Sequence, residues 1–531
     1  MISGDIQLKT RGMKKINVVI PMAGHSRRFN EAGYFGPKAL LTVGNYKMIE
    51  HVINMFDPTF CHYYIVINKK QLEFDKNLII NLESLALNVD VVLIDSHEFG
   101  PVYSALQVKN INKYEGLIIS YCDFFVEWDY EIFLRQAQGS DGCIVSFKGF
   151  HPASFGNTYY AYMKVKDGRM LKLREKQSFT TDRSEEHAST GIYYFKNFEI
   201  FEKYGKELLV KEDKALPEAY VSLLYNDMVR DDLSIAIHEV RKFVCLGTPY
   251  DYEQYQFWWK FFTIKQKKYK ENKRGIKRIG LIPMAGKGSR FRDYGYRVAK
   301  PLIKISDTPM VIRTVDSMPE QDNWIFLPRQ EDVDLYPINE TLNRFSDDCF
   351  IRPVKQHTSG QADTCMLAED LIDNSAELII ASADYEHRYN HHLWQSILND
   401  LSIDGAIWTY RSRSMILKDP EKFAYCKVKE GGVEIEEIIE KKTISDTPHL
   451  DPLVIGTFWY RRAGDFKDAV KDMVANNILV NGEHYVGTSI NYLIKNRKKF
   501  VIFDIDQWIS FGDPFELQVL EYWQEHFLNL T

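Results

Sequence analysis

The sequence predicts an α/β protein made of two tandem, doubly wound domains with mostly parallel, Rossmann-like sheets. One stretch occurs twice: residues 20–40 and 282–302 are identical at eleven of twenty-one positions, at a constant offset of 262. A repeat with so long a period indicates two whole domains rather than a solenoid. The chain of 531 residues is long enough for two domains of about 250 residues each.

Each half opens with a short apolar run followed by a glycine turn, INVVIPMAG at 16–24 and IGLIPMAG at 279–286. Helix-like stretches at 48–56, 102–111 and 362–372 alternate with apolar runs, as in a parallel α/β sheet. Those later apolar runs predict strands at 63–67, 89–94, 116–123, 143–147, 324–327, 377–384 and 406–410. Ligands of such sheets bind at the carboxyl ends of the strands, so the residues that follow these runs are site candidates.

A basic segment separates the two halves. Residues 265–278 read KQKKYKENKRGIKR, which favours a solvated helix end and a linker; contact with a membrane surface or a polyanion is the alternative. We therefore predict a flexible N-terminal extension at 1–13, a first domain at 14–262, a basic linker at 263–277 and a second domain at 278–531.

The composition predicts a protein of the reducing cytoplasm that binds no nucleic acid. The net charge is −6, and no apolar run approaches the length of a membrane span. The first fifteen residues lack the apolar core of a signal peptide, and Met13 is an alternative start. The seven cysteines show no CxxC spacing, so we expect neither a disulfide framework nor a zinc site.

The repeated residues are suited to nucleotide phosphates. In a glycine turn the backbone N–H groups curl around phosphate oxygens, and a nearby cation neutralises them. Arg28 and Arg290 supply that cation in the two copies, and Lys38 and Lys300 supply a second one ten residues later. If the pattern occurred once, a tight turn with two solvated basic residues would explain it. Its occurrence twice in register favours phosphate binding.

The pattern AGxGSRF followed by KPL resembles the signature of sugar-phosphate nucleotidyltransferases, the pyrophosphorylases that make NDP-sugars. Its longer form, IPMAGxGSRF with GY and KPL, is most similar to members from bacterial capsule and lipopolysaccharide clusters. The resemblance covers nearly the whole chain and implies two tandem nucleotidyltransferase domains. It places the arginines and lysines of both copies on the phosphates of an NTP. It assigns the nucleotide-binding loops to Ala23, Gly24 and Ser26 and to Ala285, Gly286, Gly288 and Ser289.

An acidic residue ends a mid-domain strand in each half, Asp123 in IISYCD and Asp384 in IIASAD. The magnesium-binding aspartate of the family stands in this context, so the resemblance implies a Mg²⁺ cofactor at both positions. Mg²⁺ takes oxygen ligands and leaves its other positions to substrate phosphates. A helix N-cap is the alternative role for these residues.

The resemblance also implies a base loop and an acceptor pocket. The loops FGPVYSAL and TSGQADTCMLA correspond to the loop that faces the nucleobase, which assigns Gly100 and Gln361. Two Glu-Lys pairs place Lys176 and Lys441 on the phosphate of the acceptor. The remaining acceptor-binding assignments are Glu175, Gly191 and Glu218 in the first half and Glu440, Gly456 and Glu483 in the second.

Two departures from the family pattern bear on activity. Ser26-Arg27 replaces the Gly288-Ser289 of the second half, so weakened or altered triphosphate binding in the first half is one expectation. Cys245 and Ser510 stand where many members have a second metal-binding aspartate. That leaves single-metal catalysis, or a ligand from elsewhere such as Asp506.

These roles combine into Mg²⁺-dependent nucleotidyl transfer from an NTP to a phosphorylated sugar or sugar-like acceptor, with release of pyrophosphate. Two sites with different acceptors are expected because the corresponding acceptor stretches differ: residues 149–165 of the first half are aromatic, whereas the second half has Arg411, Arg413 and Lys418 there. CTP has a slight edge by resemblance, and UTP, dTTP and GTP stay open. The alternatives are one catalytic and one regulatory nucleotide-binding domain, a nucleotide sensor without turnover, and a glycosyltransferase, whose typical DxD is absent at both metal strands.

Overall fold

The computed structural model describes residues 15–156, 158–211, 218–264, 275–345, 349–411 and 419–528. The chain divides into two compact units, Met1–Gln256 and Phe257–Thr531. The predicted extension at 1–13 and most of the predicted linker lie outside the described residues, as do Arg413 and Lys418. Within the described part, no helix is both long and apolar enough to cross a membrane.

In its described residues the first unit has thirteen strands, nine of which form one sheet. In chain order they are β1 (Ile16–Pro21), β2 (Thr42–Val43), β3 (Tyr46–Lys47), β4 (Cys61–Asn68), β5 (Val89–Ile94), β6 (Gly116–Ser120), β7 (Phe124–Glu127), β8 (Gly142–Phe147), β9 (Ala161–Lys166), β10 (Arg169–Glu175), β11 (His187–Phe195), β12 (Ile235–Glu239) and β13 (Lys242–Cys245). The helices are α1 (Arg27–Glu31), α2 (Met48–Ile53), α3 (Leu78–Glu83), α4 (Pro101–Leu106), α5 (Tyr130–Gln138), α6 (Phe198–Val210) and α7 (Leu224–Arg230). A further helix, α8 (Pro249–Thr263), begins in the first unit and continues past Gln256.

The main sheet of the first unit is mixed. Its order is β5-β4-β1-β6-β11-β8-β12-β10-β9, with β9 also paired to β11. Strands β5, β4, β1 and β6 are parallel, whereas β11 runs antiparallel to both of its neighbours β6 and β8. Strands β7 and β13 form a separate antiparallel ribbon.

The second unit repeats this plan. Its strands are β14 (Arg278–Met284), β15 (Lys304–Ile305), β16 (Thr308–Pro309), β17 (Asn323–Pro328), β18 (Cys349–Ile351), β19 (Glu377–Ala381), β20 (Tyr385–Arg388), β21 (Gly405–Tyr410), β22 (Ala424–Val428), β23 (Ile435–Glu440), β24 (Leu453–Tyr460), β25 (Phe500–Asp504) and β26 (Gln507–Ser510). Its helices are α9 (Ser289–Asp293), α10 (Met310–Ser317), α11 (Gln330–Leu335), α12 (Ile338–Phe345), α13 (Gln361–Met366), α14 (His391–Asn399), α15 (Ala463–Ala475), α16 (Val486–Lys495) and α17 (Pro514–Leu528).

The second sheet has the order β18-β17-β14-β19-β24-β21-β25, with β22 and β23 attached beside β24. Strands β18, β17, β14 and β19 are parallel, and β24 is antiparallel to β19 and β21. Strand β24 therefore takes the same place as β11 of the first unit, and β20 pairs with β26 as β7 pairs with β13.

Every apolar run that predicted a strand contains one, which confirms the mixed α/β class with parallel strands. The buried faces of these strands form the cores, with Val19, Ile119 and Ile144 in the first unit and Leu281, Ile380 and Ile407 in the second. The expectation of mostly parallel sheets holds on both sides of a reversed strand, because β8 pairs with β12 and β21 pairs with β25 in parallel; the antiparallel pairings of β11 and β24 make each sheet mixed. The reversed strands β11 and β24 are apolar runs like the others, and such a run shows burial without showing direction.

Candidate active site

The residues predicted for the first site surround one cavity of about 650 Å³. It lies beyond the carboxyl ends of β1 and β6, where ligands of such sheets bind. All eleven first-half assignments line it: Ala23, Gly24, Ser26, Arg28, Lys38, Gly100, Asp123, Glu175, Lys176, Gly191 and Glu218. The fold therefore brings together residues that are up to 195 positions apart in the chain.

The turn after the first strand has the same conformation in both units despite its different sequence. Ser26 precedes α1 with φ 51°, and Gly288 precedes α9 with φ 59°. That left-handed region suits glycine and strains serine. Ser26 gains a compensating contact, because its Oγ accepts a hydrogen bond from the backbone N–H of Lys38 at 3.1 Å. The missing glycine therefore leaves the loop conformation intact.

Both predicted phosphate lysines hold the predicted metal-binding aspartates. Lys38 Nζ donates to Asp123 Oδ2, and Lys300 Nζ donates to Asp384 Oδ2, each at 2.5 Å. All four side chains are between 20% and 28% exposed. Burial lowers the pKa of Lys38, but Asp123 outweighs it together with weaker contributions, so the pKa of this ammonium is raised. The ion pair thus places a cation and an anion at the mouth of each phosphate loop.

A second carboxylate lies behind each aspartate, at a position that the sequence analysis missed. Cys245 Sγ donates to Asp251 Oδ2 at 3.5 Å, and Ser510 Oγ donates to Glu516 Oε2 at 2.6 Å. Burial raises the pKa of Asp251 and of Glu516, and the nearby Asp123 or Asp384 contributes in the same direction. The matching signal was present in the sequence as TPYD and DPFE, at one offset of 265.

Asp251 and Glu516 are better placed than Asp506 to act as a second metal ligand. Asp506 lies exposed in the turn between β25 and β26, and none of its described contacts reaches Asp384. A Cβ atom on Gly512 would stand 3.2 Å from Asp384 Oδ2 and 3.4 Å from Glu516 Oε2. No cluster of three or more metal-ligating side chains occurs in the described ranges. Each site therefore offers a metal ion at most two carboxylates.

In both units the predicted base loop is joined to the predicted acceptor loop by backbone hydrogen bonds. In the first unit, Ala219 N–H donates to Phe99 O at 3.0 Å and Val102 N–H donates to Ala219 O at 3.2 Å. Gly100 lies between the residues that make these hydrogen bonds; its φ is 92°, and a Cβ there would stand 2.7 Å from Ala219 N. Only glycine fits a position that combines this dihedral angle with so close a backbone.

Gly360 plays the same part in the second unit and was not singled out from the sequence. Its φ is 147°, and a Cβ would stand 2.5 Å from both the N and the O atom of His484. The residue that follows, Gln361, donates from Nε2 to Ser382 Oγ at 3.4 Å. The repeated glycine at offset 260 was the available signal.

The predicted acceptor lysines adopt a strained backbone in both copies. Lys176 has φ 58° and Lys441 has φ 55°, in a region that non-glycine residues rarely occupy. Both ammonium groups donate to a backbone carbonyl, of Tyr159 and Lys422 respectively, and lie over the rings of Tyr220 and Tyr485. Strain that recurs at a pocket is a signature of functional residues.

The remaining residues predicted to bind the acceptor also occupy matching places in the two units. Gly191 has φ 106° and Gly456 has φ 90°, and a Cβ would stand 2.8 Å from the ring of Phe124 in the first unit and 3.1 Å from Ser382 Oγ in the second. Burial, and then Glu218, raises the pKa of Tyr220 to about 12; burial and Glu483 raise the pKa of Tyr485 in the same way. Each glutamate therefore lies beside the tyrosine that stacks under the acceptor lysine.

The basic residues differ in their partners. Arg290 is 70% exposed and lies 3.6 Å from Asp513 Oδ2, so it is free to turn toward a ligand. Arg411, the described member of the basic stretch predicted to set the second acceptor, is paired with Asp504 through Nη2 at 2.5 Å. A paired arginine is less available to an acceptor phosphate than the sequence analysis expected.

Comparison with known proteins bears on the first unit. A family model described as a MobA-like NTP transferase domain matches residues 18–177. Residues 18–177 of the first unit are therefore similar to an NTP transferase domain. The matched segment contains nine of the predicted site residues, from Ala23 to Lys176, and the prediction of a nucleotidyltransferase enzyme is confirmed.

Solved structures similar to the chain include three nucleotide-handling enzymes. The nucleoside-diphosphate-sugar pyrophosphorylase from Vibrio cholerae RC9 is 20% identical, with a TM-score of 0.39 over 45% of this chain and 98% of that one. A putative glucose-1-phosphate thymidylyltransferase from Bacillus anthracis is 18% identical (TM-score 0.37; 46% and 94% covered). The inositol-1-phosphate CTP transferase from T. maritima is 15% identical (TM-score 0.37; 47% and 96% covered). No curated protein matches the chain.

Proposed function

We propose that each unit transfers a nucleotidyl group from an NTP to a phosphorylated sugar or sugar-like acceptor and releases pyrophosphate. The observation that carries this proposal is the duplicated geometry: the 2.5 Å lysine–aspartate pair and the strained acceptor lysine recur in both units. Sequence drift in an inactive copy would not preserve such contacts. The two domains are proposed to span 14–262 and 278–531, and their products to be activated precursors of surface polysaccharide.

Magnesium is the metal that fits these residues. Asp123 and Asp384 each stand at the mouth of a phosphate loop with a second carboxylate behind them, Asp251 or Glu516. Mg²⁺ is usually held by one or two carboxylates together with substrate phosphates. When bound, the ion supplies charge neutralisation on the phosphates and a fixed geometry between the reacting groups.

The chain's own residues align two anions that repel each other. The acceptor phosphate is already ionised near neutral pH, so no side chain is needed as a general base. Lys441 steers this phosphate toward the α-phosphorus of the NTP in the second unit, as Lys176 does in the first. Arg290 and Lys300, or Arg28 and Lys38, offset the charge that develops on the leaving pyrophosphate.

The arrival of a triphosphate must therefore free each phosphate lysine from its aspartate. The ammonium of Lys300 donates a hydrogen bond to Asp384. Asp384 would hold the metal ion, and Lys300, once released from Asp384, would contact the phosphate oxygens of the triphosphate. Metal and nucleotide are expected to bind together for this reason.

The alternative is one catalytic unit and one nucleotide-binding regulatory unit. The difference between Ser26-Arg27 and Gly288-Ser289 favours it, whereas the retained left-handed turn in both units argues against it. The test is pyrophosphate release by the full chain with each NTP and a panel of phosphorylated acceptors. Asp123→Asn and Asp384→Asn should each abolish turnover of a different acceptor. Loss of all turnover through one of them alone would establish the regulatory alternative.

A further inference from the structure

The glutamates of the two Glu-Lys pairs have different partners, although they occupy the same place in each unit. Ser222 Oγ donates to Glu175 Oε2 at 2.5 Å, and Lys176 Nζ lies 3.7 Å from Glu175 Oε1. The segments AYVS (219–222) and HYVG (484–487) correspond, so glycine replaces this serine in the second unit. A Cβ on Gly487 would stand 2.3 Å from Glu440 Oε1. The carboxylate of Glu440 therefore fills the space that a serine would need.

The wall beside these glutamates changes in the same sense. Ser189 Oγ donates to the hydroxyl of Tyr193 at 2.9 Å, and both residues line the first cavity. Tyr193 pairs with Ile119 across the sheet, as Phe458 pairs with Ile380. Phe458 thus replaces Tyr193, and Val454 replaces Ser189 at the same offset of 265. At these two positions the first cavity wall has hydroxyl groups, whereas the second unit has apolar side chains.

The second glutamate consequently lacks the support of the first. Burial raises the pKa of Glu175, while the Ser222 hydroxyl and Lys176 oppose the rise. Burial raises the pKa of Glu440 to about 7, and Lys441 alone opposes it. A buried carboxylate without hydrogen-bond donors is costly, and a ligand that brings a donor removes that cost.

Few charged or titratable groups face Glu440 from the elements around it. In the described part of the chain they are Lys441 beside it, Cys426 on β22 and Tyr485 at the start of α16. The ammonium of Lys441 is held by the carbonyl of Lys422. In the described part of the chain, no hydrogen-bond donor reaches the carboxyl of Glu440, and Lys441 is its one favourable charge.

We propose that Ser222 and Gly487 determine the acceptor specificity of the two sites. Ser222 donates a hydrogen bond to Glu175 within the protein. Gly487 offers no such donor, so Glu440 is available to accept a hydrogen bond from a donor that the acceptor carries beside its phosphate. The first site binds acceptors that form hydrogen bonds with the hydroxyl groups of Ser189 and Tyr193. The second site binds acceptors that donate a hydrogen bond to the carboxylate of Glu440 beside the apolar side chains of Val454 and Phe458. This inference rests on the proposed nucleotidyl transfer and deepens it.

The first test needs no substrate. Infrared difference spectra of the full chain against Glu440→Gln report the protonated carboxyl of Glu440 as the pH changes. Gly487→Ser should lower the midpoint by about one pH unit, the equivalent of one hydrogen bond. Gly487→Ala displaces the same carboxylate without offering a hydroxyl and should not lower it. Equal midpoints in the two variants would overturn the proposal.

Ser222→Gly tests the same point in the first unit by removing atoms, so a failure of Gly487→Ser to fold does not end the test. The midpoint of Glu175, read against Glu175→Gln, should rise by about one pH unit. An unchanged midpoint would show that Ser222 does not support this glutamate and would overturn the proposal.

The second test measures binding of three matched probes by calorimetry, on the full chain with Lys176→Ala to weaken the first acceptor site. The probes are ethyl phosphate, 2-hydroxyethyl phosphate and O-phosphoethanolamine, which differ only in the donor. A probe with a donor should bind about tenfold more tightly than ethyl phosphate. The preference should disappear with Gly487→Ser.

The stronger of the two donor-bearing probes identifies the donor as a hydroxyl or an ammonium group. Equal affinity for all three probes would overturn the proposal. Neither test requires turnover, so a chain that releases no pyrophosphate contradicts the proposed function without deciding these outcomes.

Discussion

Replacing Lys300 by alanine should tighten the binding of a divalent metal ion to the second unit when no nucleotide is present. The ammonium of Lys300 forms an ion pair with Asp384 at 2.5 Å. A metal ion must compete with that ammonium for the same carboxylate oxygen. Removing the lysine removes the competitor, although the same lysine is proposed to assist catalysis.

The size of the effect follows from the exposure of the pair. Exposed ion pairs contribute about 0.2–1 kcal/mol, and unit charges at 4 Å in a medium of effective dielectric constant 20 interact by about 4 kcal/mol. Lys300 and Asp384 are 20% and 28% exposed, which puts the pair near 1–2 kcal/mol. The dissociation constant of the metal should fall by about five- to thirtyfold.

The assay is a titration of Mn²⁺ followed by electron paramagnetic resonance on the full chain, with Asp123→Asn present to remove the first-unit carboxylate. Lys300→Arg keeps the cation and should keep the wild-type affinity, and Lys441→Ala, which does not contact Asp384, is the matched control. Triphosphate affinity should fall in Lys300→Ala. Unchanged or weaker Mn²⁺ binding in that variant would refute the competition.

Three further predictions test other parts of the structure by thermal or chemical unfolding. His387 is fully buried without a described partner for either ring nitrogen, and burial lowers its pKa to about 3. Between pH 3 and 6.5 only the unfolded chain binds this proton, so acid destabilises the second unit; His387→Val should reduce that loss and add about 1–3 kcal/mol of stability. Gly360→Ala should destabilise the base loop and weaken NTP binding because of its 2.5 Å backbone contacts, whereas Gly286→Ala, with no atom within 4 Å, should unfold like the wild type. Ser26→Ala should cost about 1 kcal/mol, since it keeps the strain and loses a hydrogen bond, and Ser26→Gly should cost less. A stability gain in Ser26→Ala, equal unfolding of the two glycine variants or an unchanged acid profile in His387→Val would contradict the respective argument.

The strands and the phosphate loops were accessible from the sequence because their signals are local. The apolar run at 89–94 coincides with β5, and the repeated turn before Arg28 and Arg290 was visible as identity between two segments. Residues of one cavity were also predictable in kind, because the resemblance supplied their order along the chain. The direction of β11 and β24 was not predictable, since pairing direction depends on neighbours far away in sequence.

Contacts between loops were the other part that the sequence did not show. Gly360 is needed because the backbone of His484 lies against it, and no local pattern reports that approach. Glu516 supports Ser510 from the first turn of a helix, where an acidic residue also suits the helix N-terminus. Such residues have an ordinary local explanation, and only their spatial neighbours indicate a second role.

The transfer of the α-phosphorus tests the proposed chemistry most directly. The full chain would be incubated with Mg²⁺, a phosphorylated acceptor and an NTP labelled on either the α- or the γ-phosphorus. Nucleotidyl transfer predicts that the α-label appears in the acceptor product and the γ-label in pyrophosphate, and that Asp123→Asn with Asp384→Asn abolishes both. Recovery of the γ-label in the acceptor product, or persistent transfer in that double variant, would contradict the proposed reaction.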